Sequence, residues 1–248
     1  MAGHNKWSSI KRKKWAQDAR RSKLFSRLVK EIEIAIKEGG ADPAKNSRLR
    51  MAIANAKGAN MPKDNIERAI SKADKDSSNL QEITYEGYAP HGIAVFIESL
   101  TDNNQRTVGN IRAIFNKKGG NLATSGSVSF LFERKGSITI DKEAVGDREM
   151  LELEVIDAGA EDIEYFDNSL SITTSLESFG KVRKKLEEMG IEPENSELRR
   201  IPFEYKQLER DDALKVLKVI EELEEDDDVQ NVYHNLEITD EVIEALES

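Results

Sequence analysis

The chain has 248 residues, 38% of them hydrophobic and 34% charged, with 37 Lys and Arg against 47 Asp and Glu and a net charge of −10. It contains no cysteine, which excludes disulfide frameworks, thiolate zinc sites and cysteine nucleophiles and fits a reducing, cytoplasmic compartment. The longest apolar run covers residues 93–97, far short of the roughly 18 residues a membrane helix needs, so no membrane partner is expected.

The charge is unevenly distributed. The first thirty residues carry ten Lys or Arg and one acid, Asp18, and by Lys72 the count is eighteen bases against seven acids, a net of +11. The remaining residues therefore hold −21, and the overall pI of about 5.1 conceals a basic domain. A basic block joined to an acidic body points to polyanion binding, with nucleic acid as the first candidate. The basic, acid-poor start is similar to a transit peptide, but no cleavage signal follows and its pattern runs on into a strong helix, so it reads as part of the folded protein.

The first helix is expected over residues 16–38, ending at Gly39-Gly40. At 100° per residue, Leu24, Leu28, Ile32, Ala35 and Ile36 share one face, and Arg20, Lys23, Arg27 and Lys30 form a basic stripe opposite. Asp42-Pro43 predicts the start of a second helix reaching residue 57, and Met61-Pro62 a third reaching residue 73. A polar linker over 75–79 follows.

Beyond it the period changes to two. Strands are expected over 82–88 and 93–99 around a turn at Ala89-Pro90-His91-Gly92, then a helix over 104–118, strands over 127–132 and 137–141, and a helix over 148–158. A strand pair over 161–166 and 169–174, a helix over 176–189, a strand over 197–204, a helix over 211–225 and a last strand ending at Ile238 complete the chain. Residues 162–172 and 228–238 resemble each other. The interval 136–204 reads β-α-β-β-α-β, the split pattern of ferredoxin-like folds. The expected fold class is therefore α+β in three domains: a basic helical domain over 1–78, a discontinuous ferredoxin-like domain over 79–132 plus 205–248, and a second ferredoxin-like domain over 133–204 inserted into it.

Lys6-Trp7-Ser8-Ser9-Ile10-Lys11-Arg12-Lys13-Lys14-Trp15 sets two tryptophans around four consecutive cations. Such cations neutralise phosphates, and an indole either stacks on an unpaired base or anchors the arm to the bundle. Lys6, Trp7, Lys11, Arg12, Lys13 and Lys14, with Arg20, Arg21, Lys23, Arg27 and Lys30, form the candidate nucleic-acid-binding set. Thr101-Asp102-Asn103-Asn104-Gln105-Arg106-Thr107 supplies a helix N-cap, Asp102 or Asn103, and Arg106 as a candidate contact. The loop 85–92 is a hairpin or a probe presented to a partner, and Tyr85, Tyr88 and His91 join Asp102, Asn103 and Arg106 as candidate partner contacts. Gly119-Gly120-Asn121-Leu122-Ala123-Thr124-Ser125-Gly126-Ser127 reads as a helix cap and turn, because a phosphate cradle would need the Gly-Lys-Ser/Thr ending that it lacks. His4, His91 and His234 stand singly, without metal-ligand spacing, and the acidic run 221–228 reads as solvated surface. With no nucleophile, ligand set or nucleotide motif, no enzyme is expected.

The opening Met1-Ala2-Gly3-His4-Asn5-Lys6-Trp7, the Ile10-Lys11-Arg12-Lys13-Lys14 run, Lys30-Glu31-Ile32 leading to Gly39-Gly40-Ala41-Asp42-Pro43, and Asn60-Met61-Pro62-Lys63-Asp64-Asn65-Ile66-Glu67-Arg68 closely resemble the YebC/PmpR family. The likeness continues through Tyr85-Glu86-Gly87-Tyr88, Thr101-Asp102-Asn103, Gly119-Gly120-Asn121-Leu122 and Gly126-Ser127-Val128, and so spans the chain. The resemblance implies a cytoplasmic, cofactor-free protein of three domains that acts without a small-molecule substrate. Members are described as DNA-binding transcriptional regulators, while some relatives resemble translation factors. The expected function is thus a DNA-binding regulator of gene expression partnered by nucleic acid and the transcription machinery. The alternative is a factor that binds ribosomal RNA and assists peptide synthesis at stalled ribosomes. The chain departs from the family pattern at Ala89, His91 and Ala123, where glycines are common.

Overall fold

A computed structural model describes residues 18–75 and 79–247. The described chain runs through helices α1 (Asp18–Gly39), α2 (Ser47–Gly58) and α3 (Lys63–Lys75), then β1 (Gln81–Ala89), β2 (Ile93–Thr101), α4 (Asn104–Lys117) and β3 (Asn121–Ala123). It continues with β4 (Phe132–Asp141), α5 (Arg148–Asp157), β5 (Ala160–Tyr165), β6 (Ser169–Thr174), α6 (Leu176–Glu188), β7 (Asn195–Pro202), α7 (Arg210–Glu224), β8 (Val229–His234) and α8 (Asp240–Glu247). The described residues divide into two compact units, one of residues 18–23, 79–133 and 201–247 and the other of 24–75 and 134–200.

In the first unit the strands lie in the order β3-β1-β2-β8. The β1–β2 hairpin is in register from Gln81 opposite Thr101 to Ala89 opposite Ile93, and β8 pairs antiparallel with β2. The C-terminal part of the chain thus completes a sheet begun more than a hundred residues earlier. One face carries Ile93, Val95 and Ile97 into a core with Ile111 and Phe115 of α4 and Val216, Leu217 and Ile220 of α7. The other face puts Ala94 and Phe96 against Val128, Phe132 and Tyr233. Because both faces are covered, β2 reads as a nearly continuous apolar run. Gly87 and Gly120 give Phe115 its seat: a Cβ on Gly87 would stand 2.8 Å from the Phe115 ring, and one on Gly120 2.5 Å from the Tyr88 carbonyl.

Three expectations change in this unit. Residues 127–132 are not a strand but a turn with a 3₁₀ segment at Ser129–Leu131, and β4 begins at Phe132. The alternation of Val128, Phe130 and Phe132 imitates a strand, with Phe130 outward at 67% exposure, but the Val128 and Ser129 amides are taken by the Glu86 carboxylate. The short strand β3 and the terminal helix α8 had no counterpart among the predicted elements. α8 is held by Val242, Ile243 and Leu246 against the first core.

In the second unit, β4-α5-β5-β6-α6-β7 folds into a sheet of order β5-β6-β4-β7, the ferredoxin-like order, with α5 and α6 packed over Ile138, Ile140, Leu170 and Ile172. The order in the first unit starts instead from a hairpin and reaches β8 only after the intervening segment. The two look-alike stretches are not equivalent: 162–172 spans the β5–β6 hairpin, whereas 228–238 is the single strand β8 followed by a bridge from Leu236 to Lys206.

The helical segment belongs to this second unit. Ile32, Ala35 and Ile36 of α1 pack on Leu49, Ala52 and Ala56 of α2 and on Ile66 and Ala69 of α3. α2 begins at Ser47, not after Asp42-Pro43, which form a turn. Asn46 explains the shift: its Oδ1 accepts from the Leu49 amide at 3.0 Å, while its Nδ2 donates to the carbonyls of Ala35 and Gly40 at 2.6 and 2.8 Å. One buried side chain thus caps α2 and closes the end of α1. Asn55 of α2 then exchanges two hydrogen bonds with the Ser196 backbone, at 2.9 and 2.8 Å, and a Cβ on Gly58 would strike the Glu194 carbonyl at 2.0 Å.

Candidate nucleic-acid interface

Lys6, Trp7, Lys11, Arg12, Lys13 and Lys14 lie outside the described residues, as does the side chain of Arg20. Described residues 18–75 still hold fourteen bases against eight acids, so the positive excess is not confined to the first residues. Arg21 is exposed, whereas Lys23, Arg27 and Lys30 are half-buried. Lys23 donates through Nζ to the carbonyl of Glu225, past the end of α7, where a cation complements the helix dipole. Ile34 lies at the same angle as Lys23 and Arg27, yet is 4% exposed. The described part of the stripe is therefore half-buried from Lys23 to Lys30 and closed beyond Lys30.

Other cations of the helical segment divide into two groups. Arg48 is matched by Glu38 at 2.7 Å and Glu31 at 3.4 Å. Arg50 instead donates to the backbone carbonyls of Pro43 and Ala44, and Arg68 and Lys72 rim a groove of about 260 Å³ floored by Phe25, Val29 and Met61. Glu33 supplies the one carboxylate on that rim.

The candidate loop residues do not converge on one site. Asn103 is the N-cap of α4, accepting from the Arg106 amide at 3.1 Å. Tyr85 is buried and its hydroxyl donates to Asn104 at 2.7 Å. Arg106 reaches Asp102 at 2.8 Å and Asp228 at 2.6 Å, and Asp228 also accepts from the hydroxyls of Thr107 and Thr101 at 2.8 and 3.2 Å. Hydrogen bonds to Asp228 and then Asp102 hold the guanidinium above its usual range. Tyr88 donates to the Ser127 carbonyl at 3.0 Å, on the other side of the sheet. His91 sits at the hairpin tip with a left-handed φ of 62°, its ring 3.6 Å from Asp212 and its carbonyl accepting from Lys206 at 2.7 Å. A histidine therefore carries the backbone conformation that glycine usually supplies.

Two hubs escaped the sequence reading. Asp228 closes an acidic run that lacks any periodicity, yet it is 4% exposed and organises Thr101, Arg106 and Thr107. The signal available was the density of hydroxyl and amide side chains in residues 101–107. Glu86, 3% exposed, accepts from the amides of Gly126, Val128 and Ser129 at 2.8, 2.6 and 2.9 Å. Burial pushes this carboxyl up, but the three amide donors outweigh it and hold it below its ordinary value. The amides of a glycine-rich loop that could cradle a phosphate are thus occupied by the protein's own carboxylate. Among the described residues, no group of three or more His, Cys, Asp or Glu is arranged to hold a metal ion, and no helix is long and apolar enough to cross a membrane.

A basic helical segment followed by two four-stranded α+β layers defines a multidomain protein of mixed helix and sheet. Residues 5–76 match the TACO1/YebC protein N-terminal domain, and residues 80–236 the TACO1/YebC second and third domain. The chain belongs to the YebC family. It is 53% identical over 240 residues to a "probable transcriptional regulatory protein" of Geobacillus kaustophilus, covering 96% of this chain and 98% of that one. It is 48% identical to a protein of the same description from Dictyoglomus turgidum, covering 99% and 100%. The crystal structure of a conserved hypothetical protein, Aq1575, from Aquifex aeolicus superimposes with a TM-score of 0.83 at 43% identity, over 92% of this chain and 98% of that one.

Proposed function

We propose that this protein is a cytoplasmic, DNA-binding regulator of gene expression whose basic N-terminal domain grips phosphates while its acidic domains engage the transcription machinery. The observation that carries this reading is the segregation of charge, +11 through Lys72 and −21 beyond it, which concentrates phosphate affinity at one end of the chain and repels polyanions from the rest. The names of its relatives as regulators agree with it. The division of labour follows three domains, 1–78, 79–132 with 205–248, and 133–204. The pairing of β8 with β2 supports the discontinuous middle one.

Replacing Lys11, Arg12, Lys13 and Lys14 with alanine tests the grip. For every phosphate of duplex DNA that the protein ceases to neutralise, the slope of log affinity against log salt falls by about 0.9. A slope unchanged by all four substitutions would remove this segment from the interface. Crosslinking in cells, with both DNA and RNA sequenced, tests the target: enrichment at promoters is expected, and crosslinks concentrated on ribosomal RNA would transfer the same grip to the ribosome.

A further inference from the structure

Helix α5 is apolar on two opposite faces. Leu151 and Val155, both 0% exposed, enter the core of the second unit. At 100° per residue, Met150, Leu153 and Ile156 fall within an arc of about 120° on the other side, and they are 51%, 68% and 58% exposed. Exposed apolar side chains grouped on one face mark an interaction site, whereas single ones need no explanation. A Cβ on Gly159 would stand 2.4 Å from the Ser178 hydroxyl, so the start of α6, where Leu176 is 47% exposed, lies near the end of α5.

The charges of α5 indicate what covers this face. The helix carries one cation, Arg148, against Glu149, Glu152, Glu154 and Asp157. Arg148 is engaged within the unit, 2.9 Å from Glu152 and 3.6 Å from the centre of the Tyr165 ring. Glu154 faces Lys185 at 2.9 Å. The exposed Glu149 and Asp157 fall within the same arc as the apolar stripe, one at each end of it. We propose that the outer face of α5 is a docking surface for an amphipathic, Lys- or Arg-flanked helix of a protein partner, with Met150, Leu153 and Ile156 receiving its apolar side and Glu149 and Asp157 its flanking cations. A lipid surface fits poorly, since anionic headgroups would meet those carboxylates. The proposal uses no residue of the basic segment, so it does not depend on the nucleic-acid reading.

The probe is a labelled 14-residue helix of leucine and lysine, with leucines at i, i+3, i+4 and i+7, titrated with the full chain and followed by fluorescence anisotropy. The triple variant Met150→Ser, Leu153→Ser, Ile156→Ser alters only solvent-facing positions and keeps the native circular dichroism spectrum and melting temperature. It binds at least about tenfold more weakly than the parent, a change equivalent to about 1.4 kcal/mol. The single change Leu153→Gln weakens binding by a smaller factor and serves if the triple variant misfolds. Glu149→Lys with Asp157→Lys also weakens it, and a leucine–glutamate helix does not bind. Equal binding by parent and triple variant would overturn the proposal, because attraction would then come from the overall charge of −10. Equal binding of the leucine–glutamate helix, binding to zwitterionic vesicles that the triple variant abolishes, or a dimer in sedimentation that the triple variant dissolves would each overturn it as well. Nucleic-acid affinity unchanged in the triple variant separates this surface from the phosphate grip.

Discussion

Replacing Glu86 with alanine removes the acceptor from three amides at once. The Val128 amide is buried with its bond at 2.6 Å, whereas those of Gly126 and Ser129, at 2.8 and 2.9 Å, are part-buried and can be reached by water. An unsatisfied buried donor costs about 1–3 kcal/mol. Counting about 2 kcal/mol for Val128 and about 1 kcal/mol for each of the others gives a loss of about 4 kcal/mol. Glu86→Gln keeps one oxygen but sets an NH₂ group against a donor, for a loss of about half that. Urea unfolding followed by the near-ultraviolet signal of the first unit measures both, and amide exchange at residues 126–129 localises the effect. The pH dependence supplies a second readout. The folded carboxyl lies below its ordinary value of 4.5, so the unfolded chain binds the proton more readily. The contribution is complete above the ordinary value and is lost as pH falls through the folded one. The parent therefore loses stability below about pH 4.5 faster than Glu86→Gln does. Fast exchange at Val128 in the parent, or identical acid profiles for the two proteins, would refute the reasoning.

Asp228→Ala leaves the fully buried Thr107 hydroxyl and the Thr101 hydroxyl without their shared acceptor, and a loss of about 2–4 kcal/mol in equilibrium unfolding is expected. Arg106→Gln, which alters the exposed side of the same network, should cost less than Asp228→Ala, and the order of the two midpoints checks the hub. Two glycines of the first unit should respond in opposite directions. Gly109 lies inside α4 with nothing within 4 Å of an added Cβ, so Gly109→Ala should stabilise by about 0.5–1 kcal/mol. Gly120→Ala drives a methyl against the Tyr88 carbonyl and the Phe115 ring and should destabilise by about 1–3 kcal/mol, with thermal melting as the measurement.

The parts of the fold that were legible are those specified by neighbouring residues. Asn103, Asp147 and Ser175 cap α4, α5 and α6 through side-chain oxygens that accept from an amide three residues on, and polar residues before apolar periodicity announce such caps. The β-α-β-β-α-β order of the second unit follows from strands and helices that each bury one face. What failed depends on distant partners. Asp42-Pro43 is a sound local start signal, but Asn46 wins because its amide meets carbonyls of the preceding helix. Residues 127–132 alternate like a strand, and only Glu86, forty positions earlier, reveals that their amides are already engaged. The acidic run 221–228 was misread at its last member for the same reason: Asp228 serves Arg106 and two threonines across the fold.

These internal networks bear on which part of the chain is available for polyanions. In the first unit, the loops richest in polar groups spend them on each other: the amides of 126–129 on Glu86, the Arg106 charge on Asp228 and Asp102, the tyrosine hydroxyls of Tyr85 and Tyr88 on Asn104 and Ser127. A phosphate entering either loop would have to displace a carboxylate already held by charge-assisted bonds, which are about twice as strong as neutral ones. The basic segment differs in its arithmetic, since residues 6–14 supply five cations and no acid, the local composition that favours a phosphate. Phosphate affinity should accordingly follow the substitutions at Lys11–Lys14 and be indifferent to Arg106→Gln, and a loss of nucleic-acid binding in Arg106→Gln protein that remains folded would move the interface to the acidic body.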